Sequence, residues 1–307
     1  MNGLGALIKR NTKLYFRDKG MFFSSLITPV ILLVLYSTFL KKIYEDSFRS
    51  ALESAGAFIS DSVINGCVGG QLVSSLLAVS CVTVAFCSNL LMIKDKTTGA
   101  KHDLTMAPVK AGTLALGYYL STLFSTLIVS FTATAVSLGY LAIVGWYLSF
   151  ADAASLILDV FLLTMFGTAL SSCLNFPLST QGQASAIGTV VSAGYGFICG
   201  AYMPISNFST ALQNVLSCFP GTYGTSLLRN HAMRGVFAEM KKSGFPDEVM
   251  QGIRKSVDCT PEFFGHIVSV GTMYAILCGS VAVLIGIYVI MNIISNKKSS
   301  LSKGKKA

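Results

Sequence analysis

Six apolar segments constrain this chain more than any other feature of its sequence. They cover residues 22–40, 71–93, 114–144, 153–174, 184–205 and 267–291. About 20 apolar residues let a helix cross the hydrocarbon core of a membrane, where every backbone polar group must bond within the segment. Charged residues make up 12% of the chain, against about 25% in soluble domains, which excludes a water-soluble fold. We predict an all-α integral membrane protein, with six transmembrane helices in a single domain over residues 1–307.

The basic residues predict how these helices are oriented. Of the 23 Lys and Arg residues, 14 lie in the N-terminal segment 1–20, the loop 94–113 and the tail 296–307, together with only three acids. Short basic loops stay in the cytoplasm. Both termini are therefore expected inside, in a multi-pass protein of the plasma membrane. The first apolar run follows about twenty polar and basic residues and is too long for a cleaved signal, so we expect it to stay as an anchor.

The N-terminal segment 1–20 predicts an amphipathic interfacial helix. Leu4, Leu7 and Ile8 share one face, and basic residues occupy the rest of the wheel. Those basic residues are Lys9, Arg10, Lys13 and Arg17. Such a helix beside a span lies among the lipid headgroups. It acts either as a plain membrane anchor or as a mechanical element that also contacts a cytosolic partner.

The loop 94–113 is short and mixed in charge. Its sequence predicts one or two helical turns over residues 98–106, ended by Pro108. One interpretation is a solvated connector that is basic only because of its topology. The other is a docking segment, in which Leu104 and Met106 form an apolar knob within a charged rim.

The segment 206–265 is the largest stretch between spans, on the predicted outer side. Its apolar part, 211–219, is too short to cross a membrane and reads as a re-entrant or interfacial helix. Pro204, Pro220 and Gly221 are expected to break the chain on either side. Residues 245–255 predict an exposed amphipathic helix.

Several kinds of chemistry are missing from the sequence. It contains no GxxxxGK[ST], HExxH or GxSxG motif, so we expect neither a nucleotide site nor a catalytic site in this chain. The three His residues are far apart in the sequence, which argues against a zinc site. The sequence also shows no basic, aromatic-bearing groove of the kind that binds nucleic acid. Cys67, Cys218 and Cys259 fall on the predicted outer side, where two of the three pair if the compartment is oxidising; the sequence does not choose the pair.

Polar residues inside the spans have two interpretations. Asp159 is either a carboxylate near the outer interface, hydrated or paired with Lys or Arg, or a gate or substrate contact. The other candidate path residues lie among the polar residues of spans two and five, and are Ser75, Thr83, Asn89, Ser192, Tyr195 and Tyr202. They serve either tight helix packing or a mildly polar translocation path at a subunit interface.

Three stretches resemble the membrane subunits of ABC-2 type transporters. They are RNTKLYFRDKGMFFSSLITPVILLVLYSTFL (10–40), KDKTTGAKHDLTMAPVKAGTLALGYYL (94–120) and GYGFICGAYMPISNFSTALQNVLSCFPGTYGTSLLR (194–229). The resemblance implies a permease that pairs with a second permease, either an identical copy or a paralogue, and with two cytosolic P-loop ATPase subunits, which bind the ATP. It makes 94–113 the coupling segment, with candidate contacts Asp95, Lys96, Lys101, His102, Asp103, Leu104 and Met106.

The chain departs from the family pattern in two places. The family usually carries Glu around the glycine of its coupling turn, whereas Asp95 and Asp103 are the acids here. The outer insertions are longer than in compact permeases for lipid-linked polysaccharides, which favours export of a drug, an antimicrobial peptide or a lipid-like amphiphile. A glycan exporter permease, an ion-coupled secondary carrier that uses Asp159, and a non-transporting scaffold or immunity protein remain as alternatives.

Overall fold

The computed structural model describes residues 2–54, 60–107 and 109–304, and Pro108 lies outside these residues. The helices are α1 (Asn2–Arg17), α2 (Lys19–Leu35), α3 (Lys41–Ser54), α4 (Asp61–Ser88), α5 (Leu90–Thr97), α6 (Ala100–Met106), α7 (Ala111–Val144), α8 (Phe150–Asn175), α9 (Gln181–Ile198), α10 (Thr210–Leu216), α11 (Pro220–Lys242), α12 (Asp247–Ser256) and α13 (Val270–Gly304). Strands β1 (Glu262–Phe263) and β2 (His266–Ile267) form one short antiparallel hairpin before α13. The predicted all-α membrane fold class is confirmed.

Helix α4 lies at the centre of the bundle. Almost all of its side chains are buried, and it packs against α2, α7, α8, α9 and α11. Two glycines permit this: a Cβ on Gly66 would meet the Tyr147 ring at 2.7 Å, and one on Gly70 would meet Met233 at 2.8 Å. Small residues let membrane helices approach closely. The helix therefore begins at Asp61 rather than at residue 71, because its glycine-rich start is packed helix and not loop.

Five helices in the described part of the chain are long and apolar enough to cross a membrane. They are Lys19–Asp46, Asp61–Thr97, Ala111–Val144, Phe150–Asn175 and Val270–Ser295. The first runs from α2 through a π-helical turn, Tyr36–Leu40, into α3. Helix α9 occupies the place of the predicted span 184–205, but it ends at Ile198 and opens with Gln-Gly-Gln. The count of six spans stays a prediction.

The chain doubles back between α9 and α11. A 3₁₀ turn at Ile205–Asn207 and the short α10 separate the two longer helices. Pro220 and Gly221 are expected to break the chain after residue 219, and a new helix does begin there, with Pro220 in the first turn of α11. Proline suits that position because the missing N–H has no helical partner there. The first half of α11 is then buried against α4 and α8.

The other segments follow their predicted positions. Helix α12 coincides with the amphipathic helix expected at 245–255, and Met250 and Ile253 are its buried residues. Helix α6 falls within the turns expected at 98–106. The last predicted span, 267–291, begins later, at Val270, because residues 266–267 are paired in the hairpin.

All eight cysteines lie in the described residues, and each is a free thiol, including Cys67, Cys218 and Cys259. Cys67 and Cys259 are buried and Cys218 is exposed. In the described part of the chain, no three His, Cys, Asp or Glu side chains are placed to hold a metal ion.

Candidate functional site

The coupling segment folds as two short helices around Gly99. The φ of Gly99 is +81°, a left-handed conformation that glycine adopts without steric cost, and it turns the chain from α5 into α6. On α6, His102, Asp103 and Met106 are exposed, whereas Leu104 is half-buried. The outer surface of α6 is thus the part of this segment that is open to another molecule.

Asp95 points inward from the same segment. Its side chain is 5% exposed, and Arg10 binds both carboxylate oxygens, with Nη1–Oδ2 and Nη2–Oδ1 distances of 2.6 and 3.2 Å. The Tyr118 hydroxyl donates to the same carboxylate at 2.6 Å. The hydrogen bond to Asp95 raises the pKa of Arg10. Asp95 therefore fastens α1 and α7 to α5.

Helix α1 is docked on α7 along one face. Leu7 packs against Gly117, and the Asn11 amide donates to Ser121 Oγ at 3.3 Å. Tyr15 continues this face one turn later and is 2% exposed. The basic residues Lys9, Lys13 and Arg17 lie on the exposed side. The predicted amphipathic helix is confirmed, and protein covers its buried face.

Lys96 and Lys101 contact the end of α8. The Lys96 ammonium donates to the backbone carbonyls of Phe176 and Leu178, the latter at 2.8 Å. The Lys101 Nζ lies 5.0 Å from the centroid of the Phe176 ring. Burial lowers the pKa of Lys101. Lys96 thus satisfies carbonyls at and just beyond the C-terminus of α8, and both lysines link the coupling segment to the connection between α8 and α9.

A second ion pair joins α5 to the start of α2. Lys94 Nζ lies 2.6 Å from Asp18 Oδ2, while Asp18 Oδ1 accepts from the Met21 N–H and caps α2. The hydrogen bond from Lys94 lowers the pKa of Asp18. The pair borders a cavity of about 280 Å³ that Gln181 and Ser185 of α9 also line.

The predicted path residues of α4 are buried in this conformation. Asn89, at the break between α4 and α5, donates to Ser171 and Ser172 of α8 at 3.0 Å each. Thr83 bonds to Val79 O of its own helix, and Ser75 accepts from Arg229 at 3.3 Å. All three serve helix contacts here.

The predicted path residues of the fifth apolar segment lie in the second half of α9 and in the turn that follows it. The Tyr202 hydroxyl donates to Ser192 O at 3.1 Å, and Tyr195 packs against Gly221 at the start of α11. The Tyr195 hydroxyl is buried with no hydrogen-bond partner in the described structure. This end of α9 is therefore polar but closed.

Asp159 lies in a buried polar cluster between three helices. Its Oδ2 is 2.5 Å from His231 Nδ1 on α11, and its Oδ1 accepts from the Tyr274 hydroxyl on α13 at 2.6 Å. Asp159 is 1% exposed. Its partners are a histidine and a tyrosine, rather than the outer Lys or Arg considered from the sequence. His231 and Tyr274 had not been singled out, because the three residues are remote in sequence.

The largest buried charge is Arg229 of α11. Its Nη1 lies 3.1 Å from Asp258 Oδ2, and its Nη2 donates to Gly200 O. Asp258 also accepts from the Ile205 and Ser206 N–H groups, at 2.5 and 3.0 Å. Burial raises the pKa of Asp258, although Arg229 opposes this effect. The pair links the turn after α9 to the segment after α12.

Asp258 was missed by sequence reasoning. Arg229 closes one of the stretches that carry the family resemblance, but the sequence around Asp258 offers no comparable signal. The two residues are 29 positions apart and on different elements, so only the fold brings them together.

The ABC-2 type transporter family model matches residues 2–232. This is well over half of the chain, and the chain therefore belongs to the ABC-2 type transporter family. No curated protein matches its sequence. Membership makes the chain a multi-pass membrane permease component of an ABC transporter, in a family whose membrane domains work with ABC ATPase subunits.

Proposed function

We propose that this chain is the permease of an ATP-driven exporter that moves an amphiphilic substrate, such as a drug, an antimicrobial peptide or a lipid-like compound, out of the cell. The observation that carries the proposal is the coupling end, where α1, α5 and α7 are joined by the contacts of Asp95 while the outer surface of α6 stays open. Separate cytosolic P-loop ATPase subunits bind the ATP, and the protein lies in the plasma membrane with both termini inside.

The contacts around α5 supply a route for movement. A push on α6 passes through Gly99 into α5, which is continuous with the central α4 across the break at Asn89. The bidentate Arg10–Asp95 pair carries the same displacement to α1, and the Tyr118–Asp95 hydrogen bond carries it to α7. The coupling residues that face outward are then His102, Asp103 and Met106, with Leu104 half-buried beside them, whereas Asp95, Lys96 and Lys101 transmit the movement within the chain.

Two cavities on opposite faces of α2 favour an amphiphile. One, of about 170 Å³ between α2, α4 and α7, is lined almost wholly by apolar side chains such as Leu26, Val30 and Val136. The other contains the Asp18–Lys94 pair. Apolar and charged sites of this kind suit a molecule that has both characters, and a small ion would gain nothing from the apolar one.

A second permease copy completes the proposed transporter. Helix α9 carries exposed apolar residues on one side, including Val190 (71%) and Phe197 (53%). Ser192, Tyr195 and Tyr202 lie beside this face, so separation of α9 from α4 would open them, with Ser75, Thr83 and Asn89, to a path between two copies. The whole chain then acts as one transmembrane domain.

The test is reconstitution with the ATPase. Mild-detergent purification from native membranes should recover a P-loop protein, and proteoliposomes with both proteins should export an amphiphilic probe only with ATP. Asp103→Asn and Leu104→Ala should weaken ATPase stimulation without unfolding the chain. Lys110→Gln, a change outside α6, serves as the control. Repeated absence of an ATPase partner, or unchanged stimulation in both α6 variants, would contradict the proposal.

The buried Asp159–His231 pair favours a second candidate, an ion-coupled secondary carrier. Ionisable residues inside membranes are costly and often mark proton routes. This candidate requires uphill transport by vesicles that contain the chain alone under an ion gradient, with loss of that transport in Asp159→Asn. Absence of transport under every gradient eliminates it.

A further inference from the structure

A basic groove runs between the last turns of α11 and helix α12. The two helices are antiparallel neighbours joined by a short turn, and each contributes residues at helical spacing to one cavity of about 300 Å³. Those residues are Arg234, Phe237, Ala238, Lys241, Asp247, Met250, Gln251 and Arg254. Phe237 and Met250 are buried and form its apolar floor.

The cations of the groove differ in how far they are neutralised. Arg234 is paired with the buried Asp152 of α8 at 3.1 Å. Lys241 and Asp247 are 3.5 Å apart, and both are more than two-thirds exposed, which is a weak pairing. Within the described residues, Arg254 has no carboxylate within ion-pair distance. The groove therefore keeps an excess of positive charge centred on Arg254.

Arg254 is also held in place. Its guanidinium carbon lies 4.8 Å from the centroid of the Phe237 ring, and its Nε atom is buried without a hydrogen-bond partner in the described structure. A positioned guanidinium with unused N–H donors binds phosphate oxygens well, because its planar fork matches their geometry. The ammonium of Lys241 adds a second positive charge to the same cavity.

The residues beside the groove indicate that it lies at the membrane surface. Gly235, next to Arg234, packs directly against the backbone of Tyr147 in the connection between α7 and α8. Trp146 and Phe150 on either side of Tyr147 are exposed, at 50% and 93%. Exposed Trp and Tyr side chains of membrane proteins concentrate at the headgroup layer. We propose that the α11–α12 groove binds a phosphate-bearing anion through Arg254 and Lys241, either the headgroup of an anionic lipid or a free phosphate.

Binding is tested on the full chain in a non-ionic detergent, with the thermal unfolding midpoint as the readout. One arm adds inorganic phosphate at ionic strength held constant with chloride. A second adds short-chain phosphatidylglycerol, with short-chain phosphatidylcholine as the zwitterionic control. A saturable rise with phosphatidylglycerol alone identifies a lipid headgroup, and a rise with inorganic phosphate identifies the free anion. No saturable rise with either probe overturns the proposal.

Neighbouring lysines provide matched variants. Arg254→Gln should weaken binding about tenfold, the loss expected for one charge-assisted contact, and Arg254→Lys should restore part of it. Lys241→Gln should weaken it several-fold, whereas Lys242→Gln removes the same charge from the next residue, outside the cavity, and should change nothing. Equal losses in Lys241→Gln and Lys242→Gln would show only general attraction to a basic surface and would refute the site.

Discussion

The ion pairs of the coupling end and the Arg229–Asp258 pair differ in how far they are exposed to water. At the coupling end, the side chains of Arg10 and Lys94 are 33% and 45% exposed while they bind Asp95 and Asp18. By contrast, Arg229 is fully buried with Asp258. Partly hydrated pairs can separate at small cost, whereas a buried pair that loses one partner leaves an uncompensated charge. The coupling end is thus built to rearrange, and the Arg229–Asp258 pair is built to stay closed around the turn after α9.

Breaking the buried Arg229–Asp258 ion pair should have the largest effect on stability. Arg229→Met leaves Asp258 buried without its cation, and we expect the free energy of unfolding to fall by about 3–5 kcal/mol. The measurement is thermal unfolding and the monodisperse yield in detergent. The double variant Arg229→Met/Asp258→Asn should recover part of the loss. If the double variant is no more stable than the single one, the charge of Asp258 is not the cause.

Removing the charge of Asp95 should cost less. Asp95→Asn weakens the bidentate contact but leaves Arg10 partly hydrated, so we expect a loss of about 1–3 kcal/mol. Stimulation of the partner ATPase should fall by more than the loss of folded protein explains, because α1 and α5 then move separately. Tyr118→Phe removes only the hydroxyl contact to Asp95 and should fall between Asp95→Asn and the wild type. If Asp95→Asn lost as much stability as Arg229→Met, the proposed difference between the partly hydrated and the buried ion pairs would be wrong.

Acidification should change the contributions of Asp18 and Asp258 to stability in opposite directions. The pKa of Asp18 is lowered from its ordinary value of 3.8, so its contribution is present above that pH and is lost as the pH falls through the lower folded value. The pKa of Asp258 is raised, so protonation of this residue begins at higher pH and relieves part of its burial cost. Unfolding midpoints from pH 7 to pH 3 should therefore fall more steeply at the acid end in the wild type than in Lys94→Gln. Parallel profiles would contradict the role of the Asp18–Lys94 pair.

The smallest effect is expected on the exposed side of α1. Lys13→Gln removes a charge one turn after Arg10 but breaks no hydrogen bond or ion pair within the described residues, so stability should stay within about 0.5 kcal/mol of the wild type. Arg10→Gln on the same helix should be clearly less stable. Similar unfolding midpoints for the two variants would mean that α1 is held by its apolar face alone.

The sequence predicted the elements better than the side-chain contacts. Long apolar runs define helices whatever their neighbours are, so α2, α4, α7, α8 and α13 were recognised. The start of α4 was misplaced because glycines that look like a loop are packing residues in a crowded bundle. Local pattern also cannot show which way a charge in a short loop faces. Asp95 and Lys96 therefore became candidate partner contacts, although the fold turns both inward, and Asp258 went unnoticed.

The enclosed position of α4 gives the protein a native chemical reporter. Cys81 on this helix is 0% exposed and Cys67 is 3% exposed, whereas Cys218 and Cys278 are exposed. A thiol reagent should label the exposed cysteines first and reach the two enclosed ones only in conformations that separate α4 from its neighbours. The rate at which those two sulfurs are alkylated during turnover would time the opening of the bundle without any engineered label.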